Sequence, residues 1–231
     1  MRYLSQATVA WIFGVALSVS VNAGAQVPPS STELAAYTGL HAAAADGDVE
    51  RIRHLVGEGA ALEDQDSAGR TPLHVAAFGS HDAAVKALAA AGADMNALEH
   101  DAYDVITIAA VANDPAMVRL ALALGNKPGN ITSRYDGTAL IAAAHLGHGE
   151  VVEALIEAGA PLDHVNNLGW TAIIEAVVLG DGGPAHVRTA RALITAGADV
   201  SITDREGVTP LSHARRAGYK AMAALFPKAP K

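Results

Sequence analysis

Histidines and carboxylates offer this chain most of its possible chemistry, because imidazole titrates near neutrality and both groups bind divalent metals. The 231-residue sequence carries ten His and 24 Asp or Glu. His145 and His148 are three residues apart. Leu146-Gly147 between them reads as a helix end, so the two rings need not share a face. No carboxylate stands at ligand spacing, and no metal site is expected. A hydrolase would have to pair His145 with Asp46 or Glu175, assembled in space by folding. No nucleophile elbow or paired-carboxylate pattern supports that reading, so neither a catalytic residue nor a cofactor is expected. Gly180-Asp181-Gly182-Gly183 lacks the Lys-Ser/Thr and the preceding strand of a phosphate loop. With Pro184 it reads as a flexible extension of a turn. Asn130-Ile131-Thr132 has the form of a glycosylation acceptor. The chain has no cysteine, which excludes disulfides, thiol catalysis and Cys-based zinc sites.

The elements that would carry these groups follow from composition. Half of the residues are hydrophobic (51 %), yet aromatics are only 4 %, so alanine must supply much of the apolar content. Alanine favours helices and lets them pack closely. The net charge of −8 opposes nucleic-acid binding, which needs a basic surface. Residues 1–25 open with Arg2, continue as an apolar run from Ala7 to Val21, and end in Ala23-Gly24-Ala25. That is the secretory pattern, with cleavage expected after Ala25 and a periplasmic or secreted destination. The run is shorter than the roughly 20 residues a spanning helix needs, so no stable membrane insertion is expected after cleavage. Residues 26–32 read as a linker and 228–231 as a tail.

Between them one unit recurs. Thr38-Gly39-Leu40-His41-Ala42-Ala43, Thr71-Pro72-Leu73-His74-Val75-Ala76 and Asp104-Val105-Ile106-Thr107-Ile108-Ala109 align, followed by copies starting at Thr138, Thr171 and Thr209. Gly59-Ala60, Gly92-Ala93, Gly159-Ala160 and Gly197-Ala198 close their units. In copy two, Thr71 can cap a helix whose first turn tolerates Pro72. Asp82 to Ala91 then reads as a second helix with Val85 and Leu88 on one face. A single copy cannot bury its apolar face, so stacked neighbours must bury each other's. Copy three lacks the Thr, Pro and His, and its closing turn Lys127-Pro128-Gly129-Asn130 is irregular. It is expected to be the weakest interior unit. Copy five carries extra residues around Gly180–Pro184, and copy six is the C-terminal cap.

The spacing and the Thr-Pro-Leu-His signature resemble the ankyrin repeat. The resemblance implies an all-α repeat solenoid over 33–227: about six stacked helix-turn-helix units with short projecting β-turn loops. It also implies that His41, His74 and His148 bond nearby backbone. Such stacks bind partners on a concave face made by the turns and the inner helices. By register, Phe78, Tyr103, Val111, Leu146, Trp170, Val178 and Leu179 form an apolar stripe there, with Arg70 and His145 beside it. An exposed stripe of that extent suggests a docking site; the alternative is that these side chains pack on neighbouring repeats. The function read from this is a monomeric, non-catalytic scaffold for a protein or peptide partner after export. The alternative is an accessory or chaperone-like partner of a periplasmic enzyme, for example in stress resistance.

Overall fold

In the computed structural model, residues 26–227 are described. The secretory segment read at 1–25 and the tail at 228–231 lie outside them. A short helix, α1 (Ser31–Ala36), precedes six helix pairs among the described residues. The inner helices are α2 (Gly39–Ala45), α4 (Pro72–Phe78), α6 (Val105–Val111), α8 (Ala139–Leu146), α10 (Ala172–Val178) and α12 (Pro210–Arg216). The outer helices are α3 (Val49–Gly57), α5 (Asp82–Ala90), α7 (Pro115–Ala123), α9 (Gly149–Glu157), α11 (Pro184–Ala196) and α13 (Lys220–Ala223). Inner helices pack on inner helices and outer on outer, so the stack has two layers.

From α4 onward, each inner helix starts where a side chain captures free backbone N–H groups. Thr138, Thr171 and Thr209 accept from Ile141, Ile174 and Ser212 at 3.3, 3.4 and 3.3 Å. In α4 the signature histidine does this work. His74 Nδ1 accepts from the Thr71 N–H at 3.1 Å, which leaves Nε2–H to donate to Ala97 O at 3.0 Å in the following turn. His41 reaches Arg70 O at 2.9 Å in the same manner. The signature Leu or Ile is fully covered in Leu73, Ile106, Leu140 and Ile173. Each such burial stabilises by about 2 kcal/mol. Leu211 in the last unit is only half-buried, because no further repeat covers it.

A second set of bonds joins repeats two, four, five and six each to the one before it. His81, His148 and His186 donate to Ala45 O, Ala110 O and His145 O at 3.0, 2.9 and 2.9 Å. Tyr219 Oη donates to Gly180 O at 3.0 Å. All four acceptors lie in or just past the last turn of an inner helix, where carbonyls lack intrahelical partners. Copy three has Asn113-Asp114 at that place, and α5 and α7 are the least closely packed pair of successive outer helices.

Copy three compensates on its turn side. Asp104 replaces the capping Thr and accepts from Thr107 N at 3.0 Å. Its other oxygen accepts from Asn126 Nδ2 and Asn130 Nδ2, both at 2.9 Å. Asn126 Oδ1 in turn accepts from Ile106 N at 2.9 Å, the N–H two residues into the helix. Asn130 also donates to Asn96 Oδ1 at 2.9 Å. The amide read as a glycosylation acceptor is thus engaged in a part-buried network. The extra residues of copy five do not remain a loose loop: Pro184 opens α11, which runs for 13 residues against nine in α9.

The linker is also more ordered than its composition predicts. Ser30 and Glu33 form a reciprocal capping box, so α1 starts inside the stretch read as linker. Arg70 fastens this segment. Its Nε donates to Asp66 Oδ2 at 2.7 Å, a second nitrogen pairs with Glu33, and a third donates to Val27 O at 3.2 Å. Tyr37 Oη donates to the same Asp66 oxygen at 2.6 Å. Burial works to raise the Asp66 pKa, but the bonds from Tyr37 and Arg70 outweigh it and hold the carboxyl below its usual range. Arg70 is 1 % exposed, which corrects its assignment to the partner-binding surface: the guanidinium faces inward because three acceptors surround it. Arg70→Met leaves Asp66 buried without its cation and should cost roughly 3 kcal/mol. Urea unfolding should report that loss, and limited proteolysis should cut residues 26–36 faster; unchanged unfolding and cleavage would show the knot to be inconsequential.

Candidate functional site

The inner helices leave a partly open hollow in the middle of the concave face. Its volume is about 160 Å³, and α6, α8, α10 and the turn at 132–138 surround it. Thr107 and Val111 reach it from successive turns of α6, as do Ile141 and His145 from α8. This i, i+4 spacing puts each pair on one helix face. The turn is itself unusual. It holds one residue more than its neighbours, and Ser133 and Asp136 both adopt left-handed backbone at φ 66° and 52°, which few non-glycine residues do.

Of the nine residues assigned from the sequence, Tyr103, Val111, His145 and Leu146 meet at this hollow. Phe78, Trp170, Val178, Leu179 and Arg70 do not line it. Tyr103 is 7 % exposed, which corrects its placement on an open surface. The next repeat's turn stacks directly on its own, with Ser133 N donating to Ala102 O at 2.9 Å, so the ring is a wall of the hollow. Leu146 is exposed, while Phe78, Val111, Trp170, Val178 and Leu179 are half-buried.

Sequence register missed a second apolar row. Each projecting turn closes with a backbone bond, at Asp66, Glu99, Thr132, Asn166 and Asp204. The residues immediately before the middle three are Leu98, Ile131 and Val165, all exposed at 41, 47 and 44 %. Backbone bonds from Ser133 N to Ala102 O and from Asn167 N to Tyr135 O link these turns, so the three side chains form a row. Their signal is positional: one residue ahead of the turn-closing position.

The floor of the hollow is polar. Glu175 occupies the variable fifth place of the signature, where copies two, three and four have Val75, Ile108 and Ala142. It is 3 % exposed. Asn166 Nδ2 donates to Glu175 Oε1 at 2.9 Å, and Asn166 Oδ1 accepts from Leu168 N and Trp170 N at 3.0 Å. Glu175 Oε2 is buried with no hydrogen-bond partner. His145 Nδ1 lies 3.5 Å from it, too far for a strong bond. Burial pushes the Glu175 carboxyl up to about 7, against the opposing pull of Asn166. Burial, and then the neighbouring His186, push the His145 imidazole down. The contact lies within ion-pair range, yet burial drives both partners towards their neutral forms. Asp46, the other carboxylate considered with His145, sits at the distant end of α2.

The sequence matches the model of the family described as ankyrin repeats (three copies) over residues 16–99 and 106–204. The chain belongs to the ankyrin-repeat family. It is similar to the ankyrin repeat protein YahD of Escherichia coli (strain K12), with 36 % identity over 109 residues. That alignment covers 46 % of this chain and 54 % of the relative, so the chain spans about half the length of this curated relative. An ankyrin repeat domain from Acinetobacter baumannii AYE superposes with a TM-score of 0.76 at 39 % identity, over 80 % of this chain and 94 % of that one. A second solved ankyrin repeat protein gives 0.76 at 30 % identity, over 82 % and 97 %. Ankyrin repeats are generally scaffolds for protein–protein interaction. Among the described residues no group of three or more His, Asp or Glu is placed to hold a metal, and no helix is long and apolar enough to cross a membrane.

The ankyrin repeat tolerates Glu175 at a cost that depends on pH. Its carboxyl titrates near 7 in the fold against an ordinary 4.5. The neutral acid's stability is therefore present below the ordinary value and lost as pH rises through about 7. The difference corresponds to about 3 kcal/mol. Glu175→Gln should gain that much on the parent chain between about pH 4 and about pH 8, followed by urea melts. A gap that stays constant with pH would show that the carboxylate is solvated or paired.

Proposed function

We propose that this ankyrin-repeat chain acts after export, as a non-catalytic scaffold that captures a protein or peptide partner on its concave face. The observation carrying this reading is that, apart from Val27 and Leu34 in the N-terminal segment, the exposed large apolar side chains among the described residues lie in the middle repeats. Leu146 at the rim of the hollow and the row Leu98, Ile131 and Val165 belong to neighbouring middle repeats. Grouped exposed apolar side chains mark interaction sites, whereas scattered ones need no explanation. The aliphatic row and the half-buried Trp170 offer a partner both area and an aromatic anchor, and truncating such anchors commonly costs about 2 kcal/mol or more. The secretory pattern of residues 1–25 supports action outside the cytoplasm, with the mature chain starting at Gln26.

Two measurements test the two parts. N-terminal sequencing of the protein recovered from its native compartment should begin at Gln26; an intact Met1 start would remove the export part. For the face, a photo-crosslinking residue at position 146 should yield one defined adduct in native cells, and the same residue at Lys86 on the outer layer should not. With the crosslinker kept at 146, Val165→Asp should abolish that adduct while thermal melting changes by no more than about 0.5 kcal/mol, since that side chain is exposed. Tyr103→Ala is a poor probe, because that ring is buried and its loss would destabilise the stack. Equal adducts from both faces would refute the concave reading. An adduct consisting of one stoichiometric enzyme would favour the accessory role.

A further inference from the structure

The floor of the hollow carries an unfinished bonding pattern that its neighbour completes. In the last repeat, His213 Nε2 meets Asp204 Oδ2 at 2.6 Å. His213 is the fifth signature residue and Asp204 the turn-closing residue, so helix and turn satisfy each other. Repeat five uses the same two places for Glu175 and Asn166. There the amide satisfies one carboxyl oxygen and leaves Oε2 buried without a hydrogen bond, with His145 Nδ1 beside it at 3.5 Å. Gln26, from the segment before α1, also lines the hollow, and its Nε2 is buried without an acceptor. A buried polar atom without a partner costs free energy. Two of them, an acceptor and a donor, belong to residues that line one cavity, and a ligand whose entry shifts those side chains enough to reach both would satisfy them.

Resting on the concave-face reading and naming what that face takes, we propose that the hollow between α6, α8 and α10 receives a lysine side chain from a partner peptide. The walls from Val111, Ile141 and Leu146 suit its methylene stem, and Glu175 Oε2 accepts from its ammonium. A backbone carbonyl of the same peptide supplies the acceptor that Gln26 Nε2 lacks. The size fits: a cavity of about 150 Å³ holds a benzene-sized group, and this one is about 160 Å³. A guanidinium, planar and with five donors, would find one free carboxylate oxygen and leave most donors unmet. A neutral donor could reach Glu175, but charge-assisted bonds are roughly twice as strong. Burying the ammonium requires a counter-charge, which Glu175 provides on ionising. The chain's net charge of −8 favours encounter with a basic segment.

The test uses the full mature chain labelled with ¹⁵N and with ¹³C-carboxyl glutamate. The probes are the blocked peptide Gly-Ser-Lys-Ser-Gly, its norleucine and arginine counterparts, and n-butylamine. The lysine peptide should bind at least tenfold more tightly than the norleucine peptide. It should shift the amides of residues 141–146 and lower the titration midpoint of the Glu175 carboxyl. Glu175→Gln should erase the lysine preference while leaving the helical signal and the amide shifts of α3 and α13 in place. Equal binding of lysine and norleucine peptides, or a lysine preference that survives Glu175→Gln, would overturn the proposal and leave the concave-face reading standing. An arginine peptide or n-butylamine binding as well as the lysine peptide would overturn the choice of ligand. Failure of every peptide to perturb a concave amide would remove both.

Discussion

Two consecutive alanines near the end of the first four inner helices set how closely the repeats can stand. Ala43-Ala44, Ala76-Ala77, Ala109-Ala110 and Ala143-Ala144 are all almost fully buried, and repeat five holds Ala176-Val177 at the same place. Without side chains beyond Cβ, successive helices approach until their backbones are near neighbours. That closeness lets a histidine at the start of one outer helix reach a carbonyl of the preceding repeat. It also lets the projecting turns join by backbone bonds. The composition follows from the same constraint: a chain with 4 % aromatics can stay folded because its repeats share many shallow contacts rather than one deep core. In the last described repeat the constraint relaxes, with Arg215 following Ala214.

The period, the caps and the helix pairs were legible in the sequence because each is local. Thr before the inner helix and Gly-Ala after the outer one depend on backbone geometry within a few residues. Gly92 shows this plainly, since its φ of 104° suits only glycine. Arg70 and Tyr103 were misplaced for the opposite reason. Register assigns a residue to a face but does not say what stacks on that face next. Arg70 is buried by Glu33, 37 residues earlier, and Tyr103 by a turn 30 residues later. Glu175 was noticed only as a possible partner for His145. Its isolation is visible only when Asn166 takes one oxygen and the fold closes over the other.

Repeat three shows how a solenoid absorbs departures from its pattern. Losing Thr, Pro and His removes the usual cap, yet Asp104, Asn126 and Asn130 supply the same donors and acceptors from different places. The exchange is not free of consequence. Polar networks are directional, and this one ties repeat three to Asn96 on the turn side while the outer helices α5 and α7 stay less closely packed. The seam between repeats two and three is therefore held on its concave side and slack on its convex side.

Departures from the repeat are not spread evenly, and their placement is an argument about use. The lengthened turn at 132–138 contributes wall residues to the hollow. The carboxylate in place of an apolar residue is Glu175, on its floor. Two unrelated irregularities, in repeats three and five, thus converge on one cavity. Repeat two, where the pattern is kept most fully, contributes nothing to that cavity apart from Tyr103 in its closing turn. Sequences that fold well agree with their structure at every level and break that agreement mainly where function demands it. A repeat scaffold makes this unusually easy to see, because each copy states what the others would have been. A buried acid with one bare oxygen, placed where three sister copies have apolar side chains, is a stability cost that packing alone does not explain.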